Sequence, residues 1–324
     1  MADELINLVE FAKGLSDPLS SGMIEQFAGE SDVLRALQFK TVSKGLNVFD
    51  RETSLPAVKF RALNVEPEIS YGSEEQFQDA CYPISGLIEF DRIKLKRYGE
   101  RKRMTYMKGQ MSSGSRLWTD TFIKGDNASD PTTFSGCQAR LKATGATAAD
   151  VNGTKDDSRL VVNNQASGGG ALSLSMFDRA IRLVNKPSHI LMNRNMHTRF
   201  TAAARDQNVS GHLIHTEMEQ GHLITRYNGV PILVGYEVSK GSSFLPFNEV
   251  AWGGGAAVTS SIYVVSFRED GVCGIQTSAP EFIPVDTDRG VFRRDLFEWD
   301  CGITIEDFYS ALRLSSITDA PIVA

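Results

Sequence analysis

The chain has 324 residues, 41% hydrophobic and 23% charged, with a net charge of −6 at pH 7. That length suits two domains or one elaborated domain, and the composition is that of a folded protein. No apolar run approaches the ~20 residues of a membrane span. The N-terminus lacks the basic-then-apolar pattern of a secretory leader. The acidic balance argues against a coat for nucleic acid, because phosphate neutralisation needs Lys and Arg.

Residues 1–44 read as an arm with short helices. Leu5, Leu8, Val9 and Ala12 repeat helically, Gly14 and Pro18 break the pattern, and Ser31-Asp32 supplies an N-cap near Leu34 and Leu37. The first twenty residues set Asp3, Glu4, Glu10 and Asp17 against Lys13 alone, so there is no basic arm to condense RNA. An arm this apolar needs a surface to cover, its own body or a neighbour's. Residues 45–80 alternate like strands at Asn47–Phe49 and Ala57–Leu63, between polar residues, prolines and Gly72. They predict a polar hairpin with little core, and a two-stranded ribbon alone is marginal in water.

From Asp91 a single charged helix is expected, ending at Ile123-Lys124-Gly125-Asp126-Asn127, where Gly125 can cap it and Asn127 suits a turn. Met104, Met107, Met111, Trp118 and Phe122, spaced three, four, seven and four, share one face. Arg92, Lys94, Lys96, Arg97, Arg101, Lys102, Arg103 and Lys108 occupy the others. A helix of about thirty residues spans ~45 Å and should cross the molecule as a beam. Gly99, Gly109 and Gly114 lie inside it, and Gly99 can mark a break.

After the turn, residues 142–170 are rich in Ala, Thr, Gly, Asn and Asp and read as a flexible loop ending at Gly168-Gly169-Gly170. An α/β passage follows. Ser175 with Asp178 opens a helix through Val184, and His189–Met192 is a buried strand. Met196, Phe200 and Ala203 mark a second helix, while Leu213–Thr225 is ambiguous and can include a strand. Tyr227–Pro231 is a turn before the strand Ile232–Tyr236. Ser260–Phe267 and Val272–Thr277 form a hairpin about Glu269-Asp270-Gly271. Val291–Trp299 and Ile303–Ile305 form a further pair, and Phe308–Ile317 closes the chain as a strand.

Candidate chemistry is sparse. His212, His215 and His222, with Glu217 and Glu219 between, lack a helical H-E-x-x-H frame, so a polar loop or strand is expected and no metal site. The three glycines lack a phosphate-loop pattern, and no G-x-S-x-G elbow supports a hydrolase. Cys81, Cys137, Cys273 and Cys301 contain no CxxC pair and read as small buried thiols; Asp300 should keep Cys301 inert. No catalytic residue and no cofactor are expected.

The order of these segments resembles the major capsid proteins of tailed bacteriophages, the Hong Kong ninety-seven fold. The local matches are Ile123-Lys124-Gly125-Asp126 running into Phe134-Ser135-Gly136, the unit Phe177–Asn193, the Tyr227–Pro231 turn and the Ser260–Thr277 hairpin. The resemblance implies an α+β fold with an N-terminal arm (1–44) and an extended loop over a neighbouring subunit (45–80). It implies a peripheral domain with the spine helix (81–145 and 283–306) and an α/β axial domain (146–282 and 307–324). It further implies pentamers and hexamers closing into an icosahedral shell in the virion, made in the cytoplasm of a bacterial host. The shell would enclose double-stranded DNA without sequence-specific contacts. The hairpin begins near residue 45, so any scaffold should be a separate protein, alongside portal and cement proteins. Inter-subunit contact candidates are Arg51, Lys59, Arg61, Glu74 and Glu75 in the loop, and Arg97, Arg101 and Arg103 in the helix. The alternatives are a cellular nanocompartment shell and, in another class, a metal-dependent or hydrolytic enzyme built on the α/β passage.

Overall fold

The computed structural model describes residues 6–14, 18–142, 149–151, 153–155, 158–205, 214–219, 222–235, 243–286 and 291–323. The chain enters through β1 (Ile6–Asn7), α1 (Leu8–Gly14), α2 (Pro18–Gly29) and α3 (Asp32–Ala36). Leu8, Ala12, Ile24, Phe27, Val33 and Leu34 from these helices are buried in the subunit's own core. The apolar arm therefore covers its own body. β2 (Gln38–Thr41) leads to the ribbon strands β3 (Leu46–Ser54) and β4 (Ser73–Ala80), and then to β5 (Tyr82–Asp91).

The expected single spine is two helices, α4 (Arg92–Tyr98) and α5 (Glu100–Lys124). They part at Gly99, whose φ of 71° is one that side chains with a Cβ rarely adopt. Met107, Met111, Trp118 and Phe122 are buried along α5 as their spacing predicts, but Met104 is 43% exposed, one turn beyond the packed stretch. The helix stops at Gly125. There the Gly125 N–H donates to the Thr121 carbonyl, and the Gly136 N–H donates back to the Gly125 carbonyl. α6 (Cys137–Arg140) is a single turn.

The second half begins with β6 (Leu160–Val162), α7 (Leu174–Arg182), β7 (His189–Leu191) and α8 (Arg194–Ala203). The cap residue of α7 is Ser173, not Ser175, which falls in the first turn. The glycine run before α7 is built in, against the expected loose loop. Gly170 bridges to Ile317, and Gly169 packs so closely on the backbone of Ser316 that a Cβ would clash. β8 (Ile214–Glu219), β9 (His222–Tyr227) and β10 (Val230–Leu233) follow, so the ambiguous stretch is a hairpin. The remaining strands are β11 (Glu249–Val250), β12 (Ala257–Val265), β13 (Val272–Gln276), β14 (Glu281–Asp286), β15 (Phe292–Ile305) and β16 (Ala311–Ile317).

Three sheets result. A six-stranded sheet runs β1-β2-β13-β15-β14, with β5 also on β15; an eight-stranded sheet runs β6-β16-β12-β7-β10-β9-β8, with β11 on β12; β3 and β4 pair alone. Two strand expectations are corrected. The pair expected from Val291 to Ile305 is one continuous strand, because β13 and β5 hold it on through Gly302. The expected Ser260–Thr277 hairpin does not form. β12 pairs with β7 and β16, β13 with β2 and β15, so the turn at Glu269–Gly271 carries the chain from one sheet to the other. β13 therefore sits in the sheet beneath the spine and not in the α/β half.

Trp118, Phe122, Phe39, Phe134 and Trp299 pack around α5 where the arm, the turn and β15 meet. Phe177, Phe200 and Tyr227 fasten α7 and α8 to the eight-stranded sheet. Between the halves, His189 lies 2.9 Å from Ser188 Oγ through Nδ1 and tilts over Phe267. Burial, with the Arg226 charge adding, pulls its pKa down to about 4. Below pH 6.5 the unfolded chain takes up a proton that the native imidazole refuses, so stability is expected to fall as pH drops from 6.5 to about 4. His197, lowered mainly by burial, acts in the same direction. Thermal midpoints across this window should fall less steeply in His189→Gln than in the parent.

Candidate assembly surfaces

The ribbon is anchored at its base and bare at its tip. β3 and β4 pair from Leu46↔Ala80 to Ser54↔Ser73. Near the base Phe49 stacks on Phe77, and the Arg51 guanidinium lies 4.3 Å from the Phe77 ring. Arg51 Nε and Nη2 donate to the carbonyls of Glu306 and Ile305, at 2.9 and 2.6 Å. Asn47 donates to Thr304 and Glu306, and Arg140 pairs with Asp79 at 2.7 Å. Charge and hydrogen bonds, rather than a packed core, fix where the ribbon leaves the body.

Beyond Ser54 the chain leaves the ladder. Val58 and Leu63 are 93% and 92% exposed, Phe60 is fully so, and Leu55, Ile69 and Tyr71 are nearly as bare. The tip is held only by its own contacts: Lys59 with Glu68 at 2.9 Å, Arg61 donating to the Val65 carbonyl, and Ala57 N–H donating to Ser70 Oγ. Residues 46–80 carry seven acidic and three basic side chains, a net charge of −4. A contiguous apolar patch inside an acidic ribbon is the mark of a surface meant to be covered.

The opposite character lies on the spine. Residues 92–108 carry eight basic side chains against Glu100, a net charge of +7 in an acidic chain. Asp91 caps α4, accepting from the Ile93 and Lys94 N–H groups. Arg92, Lys94, Lys96, Arg97, Arg101, Lys102 and Lys108 are exposed, with Ile93, Tyr98 and Tyr106 among them. Arg103 is the exception. Its Nε and Nη2 donate to both oxygens of Asp295, which is 1% exposed.

The contact candidates thus divide. Arg51 and Arg103 are engaged within their own chain, so neither is presented as a contact for a neighbour. Lys59 and Arg61 brace the tip. Glu74 and Glu75 stay exposed on β4, and Arg97 and Arg101 on the spine. The apolar tip and the spine tyrosines were missed from sequence. Their signal was a dense apolar set, Leu55 to Tyr71, in a segment with no helix or sheet to bury it.

No nucleophile emerges at the cysteines. Burial pushes the Cys81, Cys137 and Cys273 thiols up to about 12, and Cys301 well above its ordinary value. At Cys301 burial is the larger cause, with Cys81 and Asp300 behind it. His212 lies outside the described residues, as do the side chains of His215, Glu217, Glu219 and His222. Among the described residues no three His, Cys, Asp or Glu gather as a metal requires, and no helix is long and apolar enough to cross a membrane.

No family model and no curated protein matches the chain. Solved structures do. An encapsulin complex from Synechococcus elongatus is 11% identical, covers 90% of this chain and 89% of its own, and superposes with a TM-score of 0.62. The capsid of an empty GTA particle is 11% identical over 88% of this chain and 89% of its own, with a TM-score of 0.59. A structure from Mycobacterium phage Adephagia is 10% identical over 89% and 90%, with a TM-score of 0.53. The chain has this α+β capsid fold, the Hong Kong ninety-seven fold, along nearly its whole length.

Proposed function

We propose that this chain is a shell-forming protein, the major capsid protein of a tailed bacteriophage. Identical copies assemble as pentamers and hexamers into an icosahedral head around double-stranded DNA. One observation carries the proposal: the acidic ribbon exposes an apolar tip that its own subunit leaves uncovered, in a chain whose spine offers a basic surface. A second copy supplies what each surface lacks. The acidic chain as a whole suits DNA neutralised by small cations and not by the shell. Separate scaffolding, portal and cement proteins are the expected partners, and the role needs no cofactor and no catalysis.

The encapsulin, with the highest TM-score of the three structures above, favours a second reading, a cellular compartment shell. Light scattering and electron microscopy of the purified protein test the common ground. Particles far heavier than the 35.6 kDa chain are expected, and a folded monomer at every concentration would overturn both readings. Particles purified from the native source separate the two: nuclease-protected double-stranded DNA is expected, and a protein cargo without it would favour the compartment.

A further inference from the structure

Where the chain bends at Gly99, α4, the start of α5 and the end of β5 enclose a notch of 410 Å³. Phe90, Leu95, Tyr98 and Tyr106 give it apolar walls, and Lys94 and Lys102 line it too. Lys102 Nζ lies 5.3 Å from the Tyr106 ring. The two carboxylates of the notch are already engaged: Glu89 pairs with Arg294 at 2.8 Å, and Asp91 caps α4. What remains is an apolar recess with an uncompensated positive lining. Its natural occupant is an aromatic side chain carried on an acidic segment.

The ribbon tip is such a segment. Phe60 is fully exposed, and no element of its own subunit covers it. The cations beside it are spent locally, Lys59 on Glu68 and Arg61 on the Val65 carbonyl. Glu66 and the exposed Glu74 and Glu75 leave the ribbon acidic. We infer that the Phe60 ring from one copy's ribbon seats in the α4–α5 notch of a second copy, between Tyr98 and Tyr106, with the acidic ribbon facing Lys94 and Lys102. Resting on the shell-forming role proposed above, it names the anchor and its receptor. A large ring entering a preformed recess supplies binding at low entropic cost, and an aromatic anchor ringed by charge is the common form of an interface hot spot.

The test places the photo-crosslinker p-benzoylphenylalanine at position 60, where full exposure makes the exchange harmless to the fold. Isotopically heavy and light copies are co-assembled, irradiated and digested. Heavy–light adducts joining residue 60 to peptides within 90–106 are the expected result. Particles that form normally but carry their adducts elsewhere, or only within one copy, would overturn the inference and leave the shell-forming role standing. Failure of the parent protein to assemble at all would overturn that role and the inference with it. As a second readout, Lys94→Glu with Lys102→Glu should lower particle yield by roughly tenfold or more, because like charges then face each other across the contact. Glu66→Lys with Glu68→Lys in the same chain should restore it. Unchanged yield in the double-Glu variant would also count against the assignment.

Discussion

Replacing Trp118 by Ala is expected to cost about 3–5 kcal/mol of subunit stability, the range for removing a large aromatic from a packed core. Trp118 is 0% exposed and touches four other rings. Phe122 is 5.3 Å away on the same helix, Phe39 5.8 Å on β2, Trp299 6.0 Å on β15 and Phe134 6.2 Å in the turn after α5. Those partners come from four segments far apart in the chain, so the cavity left by truncation has no single element that can collapse into it. The loss should therefore reach the upper part of the range and loosen the arm as well as the spine. Lys102→Gln, on the exposed face of the same helix, should change stability by about 0.5 kcal/mol or less. Urea unfolding of assembly-blocked subunits measures both. Equal effects would mean that the buried and solvent faces of α5 are wrongly assigned.

The contrast between those residues was legible in the sequence because it depends only on helical spacing. Met107, Met111, Trp118 and Phe122 fall on one face whatever the helix packs against. The break at Gly99 was legible for the same local reason. Pairing between distant strands was not. A strand's own residues say that it alternates, not which sheet it joins, and the turn at Glu269–Gly271 looks the same whether it closes a hairpin or carries the chain between sheets. β15 was divided in two because Gly302 interrupts its apolar pattern, while the ladders that hold it straight come from residues 272–276 and 82–91. Arg51 and Arg103 misled for a related reason. Each looked like a free surface cation, but its acceptors, the Glu306 and Ile305 carbonyls and Asp295, lie some two hundred residues away in sequence. Among assembly features, the acidic ribbon and the basic spine could be counted directly. Tyr98 and Tyr106 became visible only once the bend folded them against Phe90.

The largest expected effect is on assembly. Replacing residues 55–72 with Asn-Gly joins β3 to β4 by a two-residue turn of the kind such ladders prefer, and removes the bare tip without touching the anchored base. Arg51, Asn47 and the Phe49–Phe77 pair remain on Glu306, Thr304 and Ile305, so the fold and its thermal midpoint should survive. Particle formation should fall by at least about tenfold, since an interface that loses its anchor loses well over 1.4 kcal/mol per contact. Trypsin gives an independent measure on the intact chain. Lys59 and Arg61 sit in the exposed tip, whereas Arg51 is held by two carbonyls and a ring, so the isolated subunit should be cut first at Lys59 and Arg61 and late at Arg51. Cleavage follows the population of open ribbon. In assembled particles a neighbouring copy closes over the tip, and cutting at Lys59 and Arg61 should slow by at least about tenfold while Arg51 changes little. Timed digests read by mass spectrometry decide the matter. Rapid cutting at Lys59 and Arg61 in both states would mean that the tip meets no neighbour, and assembly would then have to rest on other surfaces of the fold.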